Sequence, residues 1–223
     1  MTDGAKNQTC VVLHSGGLDS TACLLLARKH GRTPFSLGIS YGQRHDIELR
    51  FAAEQCQRFG IERRVVDVNW QKPNIEIPHD RTLEEMKSGI APTFVPGRNA
   101  VFLALACAEA AGLGATEVWL GVNAVDYSGY PDCRESFLQS FRAMWAEAVP
   151  HPPRIVAPLV QMTKPQIAAL AYELGLSQGD TWSCYAPETT GNQPVPCGHC
   201  DACHLHDLAW QDAKSAAPVE PKI

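Results

Sequence analysis

No apolar run in this 223-residue chain approaches the roughly 18–20 residues that a membrane-spanning helix requires, so no membrane partner is expected. Met1-Thr2-Asp3-Gly4 lacks a basic stretch and an apolar stretch behind it, so no secretion signal is expected and a cytoplasmic setting is. A basic surplus is missing as well. The formal net charge of −5 argues against broad nucleic-acid binding, although not against a local basic groove. The nine cysteines are odd in number and accompany no secretion signal, which suits reduced thiols rather than a disulfide scaffold. There is no internal repeat. With 45% hydrophobic and 19% charged residues, the composition is that of a globular protein with one sizeable core and room for a small appended unit.

What the sequence does have is the hexapeptide Ser15-Gly16-Gly17-Leu18-Asp19-Ser20. It follows the apolar run Cys10 to Leu13 and precedes Ala22 to Ala27, which has helical spacing. Strand, tight turn and helix are the expected order. Paired glycines let the backbone bend and approach a ligand closely. Such a turn offers several N–H groups and a helix N-terminus to one anion. Ser15 and Ser20 add hydroxyls, and Ser20 or Asp19 is expected to cap the helix. This is a phosphate cradle. It is not a Walker loop, because no Gly-Lys-Ser/Thr follows at the required spacing.

Strand-like and helix-like segments alternate along the chain. Strands are expected at residues 11–14, 35–40, 64–68 and 118–122, and helices at 21–30, 45–59, 98–111, 135–148 and 164–174. That alternation predicts an α/β fold with a doubly wound parallel sheet, and ligands in such sheets bind beyond the carboxyl ends of the strands. The loops after His14, Ser40 and Val122 are therefore expected to share one mouth. The stretch 69–97, broken by four prolines, is long enough to be a functional loop. One domain over residues 1–223 is expected, with a metal knuckle at 184–203 and a frayed tail at 212–223.

Cys197, Cys200 and Cys203 stand at intervals of three, and Cys184 lies upstream across a Gly/Pro-rich loop. Two-residue gaps let thiolates converge on one ion, and the loop lets a fourth close a tetrahedron. The expected occupant is a structural zinc. An iron–sulfur cluster, or replacement of one thiol by His199, His204 or His206, is the alternative. Cys10, Cys23, Cys56 and Cys107 are expected to be core residues.

Three further blocks are expected at the mouth: residues 41–45 (with Gln43, Arg44 and His45), residues 95–99 (with Arg98 and Asn99), and residues 126–134 (with Asp126, Ser128, Tyr130, Asp132 and Arg134). An arginine fork suits a carboxylate or phosphate. An aspartate accepts paired N–H donors from a guanine-like edge, and Tyr130 or Trp182 can stack on a flat base. Lys164 opens a helix against the helix dipole, which favours a role at phosphates.

The hexapeptide resembles the pyrophosphate-loop (PP-loop) motif of the ATP pyrophosphatase superfamily. Together with Tyr-Gly-Gln-Arg-His, Val-Pro-Gly-Arg-Asn, Asp-Tyr-Ser-Gly-Tyr-Pro-Asp-Cys-Arg, Thr-Trp-Ser-Cys-Tyr and Cys-x-x-Cys-x-x-Cys, it resembles the QueC family from about Val11 to Trp210. The resemblance implies an adenine nucleotide alpha hydrolase-like fold and an ATP-dependent C–N ligase. Such an enzyme joins ammonia to 7-carboxy-7-deazaguanine, and is commonly a homodimer. It implies nucleotide binding by His14, Ser15, Gly16, Gly17, Leu18, Asp19, Ser20, Thr21, Ala22, Cys23 and Leu24, and zinc at Cys184, Cys197, Cys200 and Cys203. Asp19 is expected to orient a Mg2+ that accompanies ATP, Lys164 to stabilise phosphate charge, and His45 or Asp126 to take protons from ammonia. His14, Ser40 and His206 depart from the family pattern, which usually has an apolar residue, an Asp and an Arg there. Three other readings stay open, the first of them because of those departures. One is a ligase that joins the same acid to another amine, including one on a protein. Another is a tRNA-thiolating enzyme using Cys133, and the last a noncatalytic zinc-knuckle module.

Overall fold

A computed structural model describes residues 8–42, 47–70, 77–87, 89–123, 129–191 and 193–223. The α/β, doubly wound parallel sheet expected from the sequence is the observed architecture. Five strands, β1 (Thr9–Leu13), β2 (Thr33–Ser40), β3 (Arg63–Asp67), β4 (Glu117–Trp119) and β5 (Arg154–Val156), lie in the order β3-β2-β1-β4-β5, with every pairing parallel. Strands β1, β2 and β4 are covered on both faces, which is why they read as continuous apolar runs rather than as alternation. Cys10 and Val12 point to one side, into a core shared with α1 (Leu18–Lys29), α6 (Lys164–Glu173) and α7 (Asp201–Asp212). Val11 points to the other, against α4 (Arg98–Leu113) and α5 (Glu135–Ala148). α2 (Ile47–Phe59) leans on the first side through Cys56, and a short α3 (Leu83–Lys87) lies within the long connection after β3. No helix of the described residues is long and apolar enough to cross a membrane.

Several boundaries differ from the sequence expectation. α4 runs past Gly112 and stops at Gly114, whose φ of +64° supplies the left-handed turn. β4 ends at Trp119 rather than Val122, because the chain from Gly121 crosses the start of α1. A Cβ on Gly121 would lie 2.8 Å from the Asp19 carbonyl. β5 went unread: three residues between prolines carry no period. The Gly/Pro-rich loop contains an antiparallel pair, β6 (Glu188–Thr190) with β7 (Gln193–Val195). The tail is not detached. α7 reaches Asp212, a 3-10 turn covers Ala213–Ser215, Gln166 Nε2 donates to Ala217 O (3.0 Å) and Lys222 N to Pro158 O (3.0 Å).

Candidate functional site

The strand order reverses between β1 and β4, so the crevice between their carboxyl ends is where this architecture places a ligand. The phosphate-cradle hexapeptide lies there. Gly16 has φ +93°, and a Cβ on it would sit 2.5 Å from Glu48 O and 2.8 Å from Ala52 N, so glycine alone lets the turn lie on α2. Ser20 Oγ accepts from Ser15 N (3.2 Å) and donates to Gly17 O (3.1 Å), bracketing the turn. Neither Ser20 nor Asp19 caps α1, contrary to expectation. The N-cap is Gly17 without a side-chain bond, so the first-turn N–H groups keep their capacity for an anion. Of the run 14–24, residues His14, Ser15, Gly17, Leu18, Asp19 and Ser20 line a cavity of about 910 Å³. Gly16 and Thr21 do not, and nor do Ala22, Cys23 and Leu24. The last three are fully buried against the sheet and α6, because the helix has carried them a turn away from the mouth.

Asp19 Oδ2 takes the Lys164 ammonium in a short ion pair and the Asn123 Nδ2–H at 3.2 Å. Its Oδ1 is buried and has no partner among the described residues. Lys164 reaches it from the start of α6, whose opening is fixed by Thr163 N donating to Gln166 Oε1 (2.9 Å). A carboxylate oxygen left over beside a helix N-terminus is a fitting donor for a hard divalent cation such as Mg2+.

The cavity is lined as well by Tyr41, Glu48, Arg98, Asn99, Phe102 and Tyr130. The three mouth loops therefore do converge, through Ser15, Tyr41 and Gly129. Arg98 hydrogen-bonds the Tyr41 hydroxyl and lies 5.8 Å over the Tyr130 ring. Tyr130 Oη is held by Thr93 Oγ1 at 2.5 Å. Three expected ligand-binding residues have other work. Asp132 is 7% exposed and accepts from Asn99 N (3.0 Å), so it fixes the start of α4 rather than facing the cavity. Arg134 is exposed at the N-cap of α5, outside the cavity. Trp182 touches the cavity but is only 5% exposed. It packs on Phe51, donates Nε1–H to Cys184 O (3.0 Å) and its backbone N–H to Gly16 O (3.1 Å), tying knuckle to cradle instead of offering a stacking face. Gln43, Arg44, His45, Asp126 and Ser128 lie outside the described residues. Cys133, the thiol considered for sulfur transfer, is 5% exposed and accepts Asn99 Nδ2–H at 3.1 Å.

His14 belongs to a buried polar column that the sequence did not reveal. Gln55 Nε2 donates to Gly16 O (3.1 Å) and Asp180 O (2.6 Å), which turns its Oε1 towards His14 Nε2 (2.9 Å). Nε2 therefore carries the proton, and Nδ1 accepts from Ser36 Oγ (2.9 Å), itself an acceptor of Arg63 Nη1–H (2.7 Å). Burial, with the Arg63 charge beside it, lowers the His14 pKa to about 3, so the ring stays neutral and serves as a strut for the cradle. His206 is treated alike. Its Nε2 donates to Gln178 O (3.3 Å), its Nδ1 accepts from Ser183 Oγ (3.1 Å), and burial lowers its pKa.

Cys184, Cys197, Cys200 and Cys203 bring their sulfurs within 4.8 Å of one another. The Cys184–Cys197 and Cys197–Cys203 separations are 3.5 and 3.9 Å, against about 3.8 Å for thiolates on one tetrahedral zinc. Hydrogen bonding from Cys184 holds Cys200 below the usual thiol range. Cys200 also caps α7, whose N-terminus favours a thiolate. Four buried or half-buried thiols converging in this way can hold a metal ion, and the set closes without a histidine. A neighbouring group shares Cys197 with His79 and His199. The knuckle is seated on α2 through Ile47 and Phe51.

Comparison with known proteins agrees with this geometry. The profile of the family described as "Queuosine biosynthesis protein QueC" matches residues 9–214. A protein of Rhodopseudomonas palustris (strain HaA2), "7-cyano-7-deazaguanine synthase 2", is 52% identical over 204 residues, covering 92% of this chain and 97% of that one. The "7-cyano-7-deazaguanine synthase" of Myxococcus xanthus (strain DK1622) is 42% identical over 222 residues, covering 94% and 95%. That of Solidesulfovibrio magneticus is 40% identical over 226 residues, covering 95% of each. With a family match along nearly its whole length, the chain belongs to the QueC family of queuosine biosynthesis proteins.

Proposed function

We propose that this enzyme converts 7-carboxy-7-deazaguanine and ammonia into the nitrile 7-cyano-7-deazaguanine, with ATP activating the acid. The observation that carries the reading is Asp19. It is paired through one oxygen with Lys164 and left without a partner among the described residues at the other, beside an uncapped helix start at the sheet's switch point. That arrangement suits a triphosphate with its cation.

A carboxylate is a poor electrophile, since oxide is a bad leaving group. Attack of its oxygen on the ATP α-phosphate forms the acyl adenylate and releases pyrophosphate, which the cradle N–H groups and Lys164 stabilise. Ammonia then displaces AMP, giving the amide. A second ATP adenylates the amide oxygen and releases pyrophosphate, and loss of AMP with the two nitrogen-bound protons leaves the nitrile. Both steps fit one cavity, and His45 or Asp126 takes the protons from ammonia. Bound to Asp19, Mg2+ would supply charge neutralisation at the phosphates. In the knuckle, zinc is the occupant that fits best: sulfurs this close suit one ion, whereas an iron–sulfur cage holds its thiolates farther apart. With no open position its role is structural. The protein is read as a cytoplasmic homodimer of one catalytic unit, 1–223, with its knuckle at 184–203.

The test is to incubate the metal-loaded protein with ATP, Mg2+, ammonium and the acid, and to follow the base by mass spectrometry. Nitrile is expected. Adenylated acid that goes on only to another amine points to conjugation instead, and an unchanged base refutes both.

A further inference from the structure

Glu48 has no part in the chemistry above, yet it is the acid that the cavity treats least kindly. It stands in the first turn of α2, half-buried, and lines the cavity. Among the described residues its carboxylate takes part in no hydrogen bond or close ion pair. Arg98 acts on it by charge alone. Both line the cavity, an acceptor and a donor close enough to interact by charge and not bonded to each other. Tyr41 flanks them, its ring stacked on Trp70 (centroids 5.8 Å apart, planes at 19°) and edge-on to Phe102 (5.2 Å).

Flat-base chemistry decides what this pair can read. A guanine-type ring presents a carbonyl oxygen, a ring N–H and an exocyclic amino group along one edge: acceptor, donor, donor. A carboxylate matches the two adjacent donors with its two oxygens, and a guanidinium donates to the carbonyl. Adenine presents an amino group beside a ring lone pair, and that lone pair would face a carboxylate oxygen. The nucleotide's own base therefore fits poorly while Glu48 is ionised. We propose that Glu48 selects the substrate base, its carboxylate accepting the ring N–H and 2-amino N–H of the deazaguanine while Arg98 donates to the neighbouring carbonyl oxygen. The assignment rests on the deazapurine reading of the substrate. Burial pushes the Glu48 carboxyl up to about 7, with Arg98 pulling the other way. Paired N–H donors offset that desolvation when the base binds.

The experiment measures kcat and KM for 7-carboxy-7-deazaguanine and for its analogue lacking the 2-amino group, with wild type and Glu48→Gln. Wild type is expected to favour the 2-amino acid by about 100-fold or more in kcat/KM. Glu48→Gln is expected to raise the KM for that acid about tenfold, leave the KM for ATP within about twofold, and shrink the preference below about fivefold. A wild type that uses both acids equally overturns the assignment without reference to any variant. So does a variant whose KM for ATP moves while the preference survives. A wild type that turns neither acid into adenylate, amide or nitrile removes the deazapurine reading, and this assignment with it.

Discussion

Glu117 and Glu48 are both acids withdrawn from bulk water, at opposite ends of one parallel sheet. Glu117 opens β4 at the amino end and is 6% exposed. Its carboxylate accepts from Arg32 Nε (2.8 Å) and Nη2 (3.1 Å), Arg154 Nη2 (2.5 Å) and Trp119 Nε1 (2.8 Å). Burial alone would raise its pKa, but these donors outweigh burial and hold it at about 2. Glu48, at the carboxyl end, has no such donors among the described residues and is pushed up to about 7. Asp19, at the same end, keeps one oxygen without a partner among the described residues. One end of the sheet spends its polar groups on each other. The other holds them in reserve for a ligand, which is how stability and function are divided in a parallel sheet.

The contrast breaks if changes at the two ends have the same consequence. The largest effect is expected at the carboxyl end. Lys164→Ala should lower kcat by about 10³-fold through loss of phosphate stabilisation. Its melting temperature should stay within about 3 °C of wild type by calorimetry. Glu117→Gln should do the reverse. A buried carboxylate with two arginines is worth about 3–5 kcal/mol when broken, but the Arg32 and Arg154 side chains are 27% and 52% exposed, so about 2 kcal/mol is expected. In urea denaturation this appears as a lower midpoint, with kcat per folded molecule unchanged.

Acid sharpens the comparison. The folded pKa of Glu117 lies below its usual 4.5, so its contribution is present above pH 4.5 and lost as pH falls towards about 2. The stability gap between wild type and Glu117→Gln should close over that window. Glu48 has the opposite sign. Its folded pKa is raised, so its contribution is present below pH 4.5 and lost as pH rises through about 7. Relative to Glu48→Gln, wild type should lose on the order of 1 kcal/mol between pH 5 and 8, the smallest effect because solvent in the cavity screens the charge.

Much of this was legible in the sequence, and the reasons are local. The cradle, the helix start at Lys164 and the four cysteines each announce themselves through short spacing that only one backbone geometry satisfies. The α/β order follows from runs long enough to show a period. What escaped is set by tertiary contact. Asp132 looks like a ligand-binding acid until Asn99 N is found on it, and Trp182 looks like a stacking platform until Phe51 and Gly16 close around it. Glu48 and Gln55 carry no motif of their own. Their environment comes from segments far away in the chain, such as Arg98 and Asp180.

The central claim is that the turn at the switch point grips a triphosphate. Calorimetric titration of MgATP into the metal-loaded full chain, with the deazapurine acid present, tests it most directly. Wild type is expected to bind, and Asp19→Asn to bind about tenfold or more weakly. A folded, metal-loaded wild type with no affinity for MgATP would contradict the account.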